Sequence, residues 1–304
     1  MGNYPVGRLI FELRRRKGVS QEFLAEGICS VSTVSKIENG VQMPSRKVYE
    51  ALLQRLGGST RNCRLYISDY EMHKYVLEEK ITQCMERKCY AEAARLLKEY
   101  ESHGNKKEED RLEKQFALLV RAELQRCRKD GRGKALDLLW QAARISMPDL
   151  ELEQLEQYRL LMLEEIRILE RMAEIYYELG DSALAKRILF FLKEYTEYSE
   201  MDEMEKAQIY PKLVYRLACW MEADGRHQEQ KELCESGIRM CILQGRLTEY
   251  PMLLAGKGYA LLESNQPEEA EPCLKQACAI FRAVGDPANA GLIKEKATAL
   301  FHAQ

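Results

Sequence analysis

Residues 17–45 read Lys17-Gly18-Val19-Ser20-Gln21-Glu22-Phe23-Leu24-Ala25-Glu26-Gly27-Ile28-Cys29-Ser30-Val31-Ser32-Thr33-Val34-Ser35-Lys36-Ile37-Glu38-Asn39-Gly40-Val41-Gln42-Met43-Pro44-Ser45. Helix starts and stops are written into this stretch. Upstream, Val6, Leu9, Ile10 and Leu13 give the i, i+3, i+4, i+7 stripe of an amphipathic helix over 6–17, which Gly18 ends. Ser20 caps a short second helix with Glu22 and Glu26 in its opening turns. Gly27-Ile28-Cys29 forms a turn, and Ser30 caps a third helix running to about Asn39, where Gly40 stops it. Pro44-Ser45 opens a fourth helix with Val48, Leu52 and Leu56 on its core face.

On the third helix Val34 and Ile37 turn inward. Val31, Ser32, Thr33, Ser35 and Lys36 are left outward, short side chains that let a helix N-terminus approach base edges in a major groove. Gln21 opens the second helix, where amide groups suit a phosphate, and Lys36, Asn39, Arg46 and Lys47 flank the groove as backbone contacts. Ser30 doubles as helix cap and member of this DNA-facing set. Residues 6–57 resemble the helix-turn-helix domain of the phage-repressor (Cro/C1, or XRE) family. The resemblance is carried by Arg14, Lys17 to Gln21, Leu24-Ala25, the block Ser30 to Gly40, and Pro44-Ser45. One departure stands out: the family usually places the turn glycine one residue later than Gly27. Gly27-Ile28-Cys29-Ser30 is similar to the variant of peptide-regulated members.

Charge supports this division. Residues 1–68 hold 11 Lys/Arg against 5 Asp/Glu, a net +6, and residues 69–304 hold 35 against 43, a net −8. A basic head on an acidic body suggests that the head meets a polyanion. The chain has 304 residues, 46% hydrophobic and 31% charged, with only 10 Val and 6 Thr. That is the composition of an all-α globular protein. No stretch reaches the roughly 18–20 apolar residues of a membrane span, and Arg8, Glu12 and Arg14 to Lys17 leave no apolar core for a signal peptide. A cytoplasmic protein is expected.

Beyond Gly57-Gly58-Ser59-Thr60 the sequence predicts a linker over 59–68, separating a head over 1–58 from a body over 69–304. In the body a turn, a small residue and a bulky residue four positions later recur. They occur at Ala93 with Leu97, Ala135 with Leu139, Ala185 with Leu189, Gln230 with Cys234, and Ala270 with Leu274, at spacings of 42, 50, 45 and 40. This resembles the tetratricopeptide repeat, although every spacing exceeds the usual period of about 34 residues, and Gln230 stands where a small residue belongs. The resemblance implies a right-handed solenoid of about five helical hairpins with a C-terminal capping helix over Ala290 to Phe301.

Such a solenoid has an inner wall suited to an extended peptide. Opposite the packing stripe, the first helices of the hairpins carry Arg121, Arg167, Arg171, Tyr177, Tyr215, Arg216 and Tyr259, residue types that often anchor interfaces. Arg167 and Arg171 equally suit pairing with Glu164, Glu170 or Glu174 on their own helix. Phosphate-loop, zinc and nucleophile-elbow motifs are lacking, so neither an enzyme nor a cofactor is expected. The ten cysteines contain no Cys-x-x-Cys pair and read as free thiols.

Head and body together resemble the peptide-responsive regulators of Gram-positive bacteria, the RRNPP group. That resemblance implies a homodimeric transcription regulator that reads an inverted-repeat operator on double-stranded DNA and responds to a short signalling peptide, as in quorum sensing. Two alternatives stay open: a DNA-binding regulator whose repeats bind a protein, and an adaptor whose head no longer binds DNA.

Overall fold

The structure, a computed structural model, describes residues 5–58, 68–102 and 111–302. Among these residues there are helices and no strand. Four helices form the head: α1 (Pro5–Lys17), α2 (Gln21–Ala25), α3 (Val31–Glu38) and α4 (Arg46–Arg55). The body continues with α5 (Asp69–Glu86), α6 (Tyr90–Ser102), α7 (Arg111–Arg126), α8 (Arg132–Ser146), α9 (Leu163–Glu178) and α10 (Ser182–Tyr198). It ends with α11 (Glu203–Ala223), α12 (His227–Leu243), α13 (Tyr250–Glu263), α14 (Pro267–Ala283) and α15 (Pro287–His302). No described helix is long and apolar enough to cross a membrane.

The head's caps lie where serine can accept an orphan N–H. Ser20 Oγ accepts from the Phe23 N–H at 3.1 Å, Ser30 from Thr33 at 3.0 Å, and Ser45 from Val48 at 3.3 Å. Ile10, Leu24, Val34, Ile37 and Leu52 are fully buried and form the head's core together with Leu112 of α7 and Met162 before α9. The head's apolar core therefore continues into the body.

Gly27 explains its unusual place. Its φ is +68°, and a Cβ there would lie 2.3 Å from Ser146 Cα and 2.5 Å from the Ser146 carbonyl oxygen. The backbone of the turn before α3 runs directly against the end of α8, which only glycine permits.

In the body α5 packs on α6, α7 on α8, α11 on α12 and α13 on α14. The recurrent small positions open the second helices: Ala93, Ala135, Ala185 and Ala270 are fully buried in α6, α8, α10 and α14. Gln230 is also buried, and its Nε2 donates to the Gly256 carbonyl at 3.1 Å, so the amide that breaks the pattern ties α12 to α13. The longest spacing, 50, contains a 3-10 segment, Leu152–Gln157, whose Leu152 and Leu155 are buried. The expected linker falls at 59–67, outside the described residues. Ser68, at its end, instead caps α5 in a capping box with Glu71.

The chain divides into two compact units, residues 1–188 with 200–202, and residues 189–199 with 203–304. The first contains head, α5–α9 and the opening of α10. The second contains the rest.

Candidate nucleic-acid interface and body grooves

Helix α3 is held from behind. Arg14 of α1 donates to both Glu38 oxygens, Nε at 2.6 Å and Nη2 at 2.8 Å, and its Nη1 reaches the Val19 carbonyl at 3.0 Å. The Gln21 Nε2 donates to Glu38 Oε2 at 2.6 Å. In this structure the Gln21 side chain thus joins the clamp that ties α1 and α2 to α3. With that face fixed, Val31, Ser32, Lys36 and Asn39 stand exposed on the other, and Thr33 and Ser35 are half-buried. Ser30 Oγ contacts Thr33 Oγ1 at 2.8 Å as well as capping, and Asn39 Nδ2 donates to the Ser35 carbonyl at 2.9 Å.

Arg46 and Lys47 lie at the start of α4 and are already engaged. The Arg46 backbone N–H donates to Glu71 Oε1 at 3.0 Å, its guanidinium pairs with Glu50 at 2.7 Å, and it sits 3.6 Å over the Tyr75 ring. Lys47 Nζ pairs with Glu78 at 2.5 Å. Ser30, Thr33, Arg46 and Lys47 share one open cavity of about 620 Å³ with Tyr70, Glu71, Tyr75 and Glu78 of α5. Burial pushes the Glu71 carboxyl up, but the N–H groups of Ser68 and Arg46 outweigh it and hold the group below its usual range. Sequence reasoning gave no sign of these α5 carboxylates, because their spacing matches only a solvated helix face.

The body residues separate into two sets. In the first unit Arg121 pairs with Glu101 at 2.7 Å, Arg167 with Glu164 at 2.8 Å, and Arg171 with Glu123 at 2.9 Å and Glu174 at 3.0 Å. Tyr177, on the last turn of α9, is half-buried. The same-helix pairing open to Arg167 and Arg171 is realised, at i−3 and i+3. Burial works against the Arg171 charge, but Glu170, Glu123 and Glu174 together raise its pKa. Arg126 joins this network through Glu174 and Glu178, a cation the sequence did not single out.

In the second unit Tyr215 and Tyr259 line one small cavity of about 70 Å³, with Cys219, Glu222 and Lys296. Lys296 Nζ pairs with Glu222 at 2.6 Å and lies 4.3 Å from the Tyr259 ring centre. Arg216, beside Tyr215, is half-buried. The nine described cysteines are free thiols, and burial pushes the Cys241 thiol up to about 11.

Residues 10–61 match the Helix-turn-helix family. No curated protein matches the sequence at a significant level. The chain is similar in structure to Bacillus thuringiensis PlcR in complex with the peptide PapR7 and DNA, at 18% identity and TM-score 0.58, covering 96% of this chain and 99% of that chain. The apo form of the same PlcR gives 17% and 0.59, covering 96% and 98%. ComR from S. thermophilus in complex with DNA and its signalling peptide ComS gives 15% and 0.52, covering 97% and 99%. The likeness is one of fold and runs through head and body alike: a helix-turn-helix domain followed by helical hairpins.

Proposed function

We propose that this chain is a sequence-specific transcription regulator of the cytoplasm. In this reading a homodimer engages an inverted-repeat operator, and a short signalling peptide bound by the body alters that engagement. The observation that carries the reading is the construction of α3. The Arg14–Glu38–Gln21 clamp fixes its rear, and its front exposes small and cationic side chains, as base readout from a major groove requires. The solved complexes of PlcR with PapR7 and DNA and of ComR with ComS and DNA, on the same fold, support the peptide half. In the second unit the small cavity that Tyr215, Met252, Tyr259 and Ile293 line beside the Glu222–Lys296 pair supports a peptide side-chain contact there.

Selection of duplexes from a random library by the full chain tests the DNA half. The expected product is two half-sites about one helical turn, or a multiple of it, apart. Lys36→Ala is expected to weaken binding and to flatten the salt dependence by roughly one unit of slope. Enrichment of no sequence would remove the regulator reading. Enrichment of a lone half-site would remove the dimer.

A further inference from the structure

Helix α3 carries one cation, Lys36, and no arginine. Side chains at 31, 32, 35, 36 and 39 fall within an arc of about 140° on an α-helix and so share one face. Polar groups on and beside that face are largely spent on one another. Ser30 Oγ and Thr33 Oγ1 lie 2.8 Å apart, and the Asn39 amide nitrogen turns back on Ser35, 2.9 Å from its carbonyl oxygen and 3.4 Å from its Oγ. An asparagine amide reads adenine with both its nitrogen and its oxygen, and guanine is read by arginine or lysine. The first arrangement is not presented here, and the one cation of α3 is assigned above to a phosphate.

Val31, the first residue of α3, stands apart from these groups. It is 38% exposed. The half-buried apolar residues packed on the head's core are Val6, Leu13, Val19, Cys29 and Val48, and Val31 is not among them. Ser30 and Thr33 line the cavity shared with α5, whereas Val31, Ser32 and Lys36 do not. Neither the head's core nor α5 takes up this side chain. A lone exposed valine is ordinary on a protein surface. At the leading end of a helix whose outward neighbours are serine, lysine and asparagine, it is the one apolar group that the face offers to a groove.

The C5-methyl of thymine is the one apolar group on the major-groove edges of the four bases, and an apolar side chain meets it without a hydrogen bond. The branched Cβ of valine leaves little χ1 freedom to lose on contact. Opposite cytosine or a purine, the same side chain would cover polar edge atoms and leave them without a partner. We infer that Val31 reads the methyl group of a thymine in each half-site, which makes the T·A pair under the start of α3 a specificity-determining position of the operator. This rests on the DNA half of the proposed function and adds a base chemistry to it.

The test uses the full chain and the duplex selected from the random library. Each thymine of the half-sites is replaced by uracil, one position at a time, which removes the methyl and keeps the pairing. At one position this is expected to weaken binding by about fourfold per half-site, the equivalent of about 0.8 kcal/mol for one buried methyl group. Val31→Ala should weaken the thymine duplex by a similar factor and bind thymine and uracil duplexes equally. Changing that T·A pair to C·G should weaken the wild type further, and 5-methylation of the cytosine should recover part of the loss in the wild type and none in Val31→Ala. Alanine is the stronger helix former at an exposed position, so the variant's circular dichroism should match the wild type. Uracil tolerated at every thymine, or a methyl effect that persists in Val31→Ala, would overturn the inference and leave the regulator reading standing. Enrichment of no sequence would overturn both.

Discussion

Single residues decide where this chain tolerates no substitution. Gly27→Ala combines a left-handed φ, which costs an L-residue roughly 1–2 kcal/mol, with a Cβ inside the Ser146 backbone. Gly18 has nearly the same φ, +66°, and open space around it, so Gly18→Ala isolates the conformational cost. Urea unfolding is expected to show Gly18→Ala losing about 1–2 kcal/mol and Gly27→Ala losing clearly more, and equal losses would mean that the turn does not press on α8. Arg171→Ala tests the carboxylate network. Removing one partner of a buried pair costs about 3–5 kcal/mol, but a third of this side chain is exposed, so a loss of about 1–3 kcal/mol is expected. A stability change within about 0.5 kcal/mol, the range of ordinary surface substitutions, would return Arg171 to the role of a free surface anchor. In the sequence Arg171 reads first as a helix partner and only second as a ligand contact, because an i+3 carboxylate is visible; Glu123, on another helix, is not.

At the level of elements, α5 and α4 face each other through charges that DNA would also claim. Glu71 accepts the Arg46 backbone N–H, Glu50 holds the Arg46 guanidinium and Glu78 holds Lys47, so under the proposed function phosphate contacts by those two side chains require Glu50 and Glu78 to let go. Under the proposed function, Glu78→Gln is expected to raise affinity for the selected operator by about tenfold, near 1.4 kcal/mol, and an unchanged affinity would take Lys47 out of the phosphate set. Glu71 adds a pH dependence. Its folded pKa lies below the ordinary 4.5, so the native state binds fewer protons than the unfolded state. The stabilisation is present above about pH 4.5 and is lost as pH falls through the folded value. The melting temperature of Glu71→Gln should therefore fall below wild type at pH 7 and converge on it in acid; a constant gap would assign the effect to the capping box alone. Helix termini and the α3 face were legible because Ser20, Ser30, Ser45 and the glycines act locally. The α4–α5 clasp was not, since nothing in residues 68–80 says which helix lies opposite. The repeat was legible through its buried alanines, and the 50-residue spacing only as an anomaly that the 3-10 segment resolves.

For the molecule as a whole, the two compact units make a claim about folding that composition alone does not. In stacked-hairpin proteins stability is close to a sum of repeat and neighbour terms, so any run of hairpins with its own core can stand alone. The second unit has such a core: Leu254, Leu261, Leu262, Ala277 and Phe281 are buried, and Ala290, Ile293 and Ala297 of α15 cover its last hairpin. A fragment of residues 189–304 is expected to be helical and to melt in one cooperative transition. The head is different. Its core includes Leu112 and Met162, and Arg55 is neutralised by Glu165, a buried carboxyl whose own pKa burial raises. A fragment of residues 1–58 loses all three partners. Its midpoint in urea should lie well below the loss of head structure in the intact chain, followed by hydrogen exchange at Leu24, Val34 and Leu52. If the isolated head instead matches the intact chain, the continuity of its core with α7 and α9 contributes nothing.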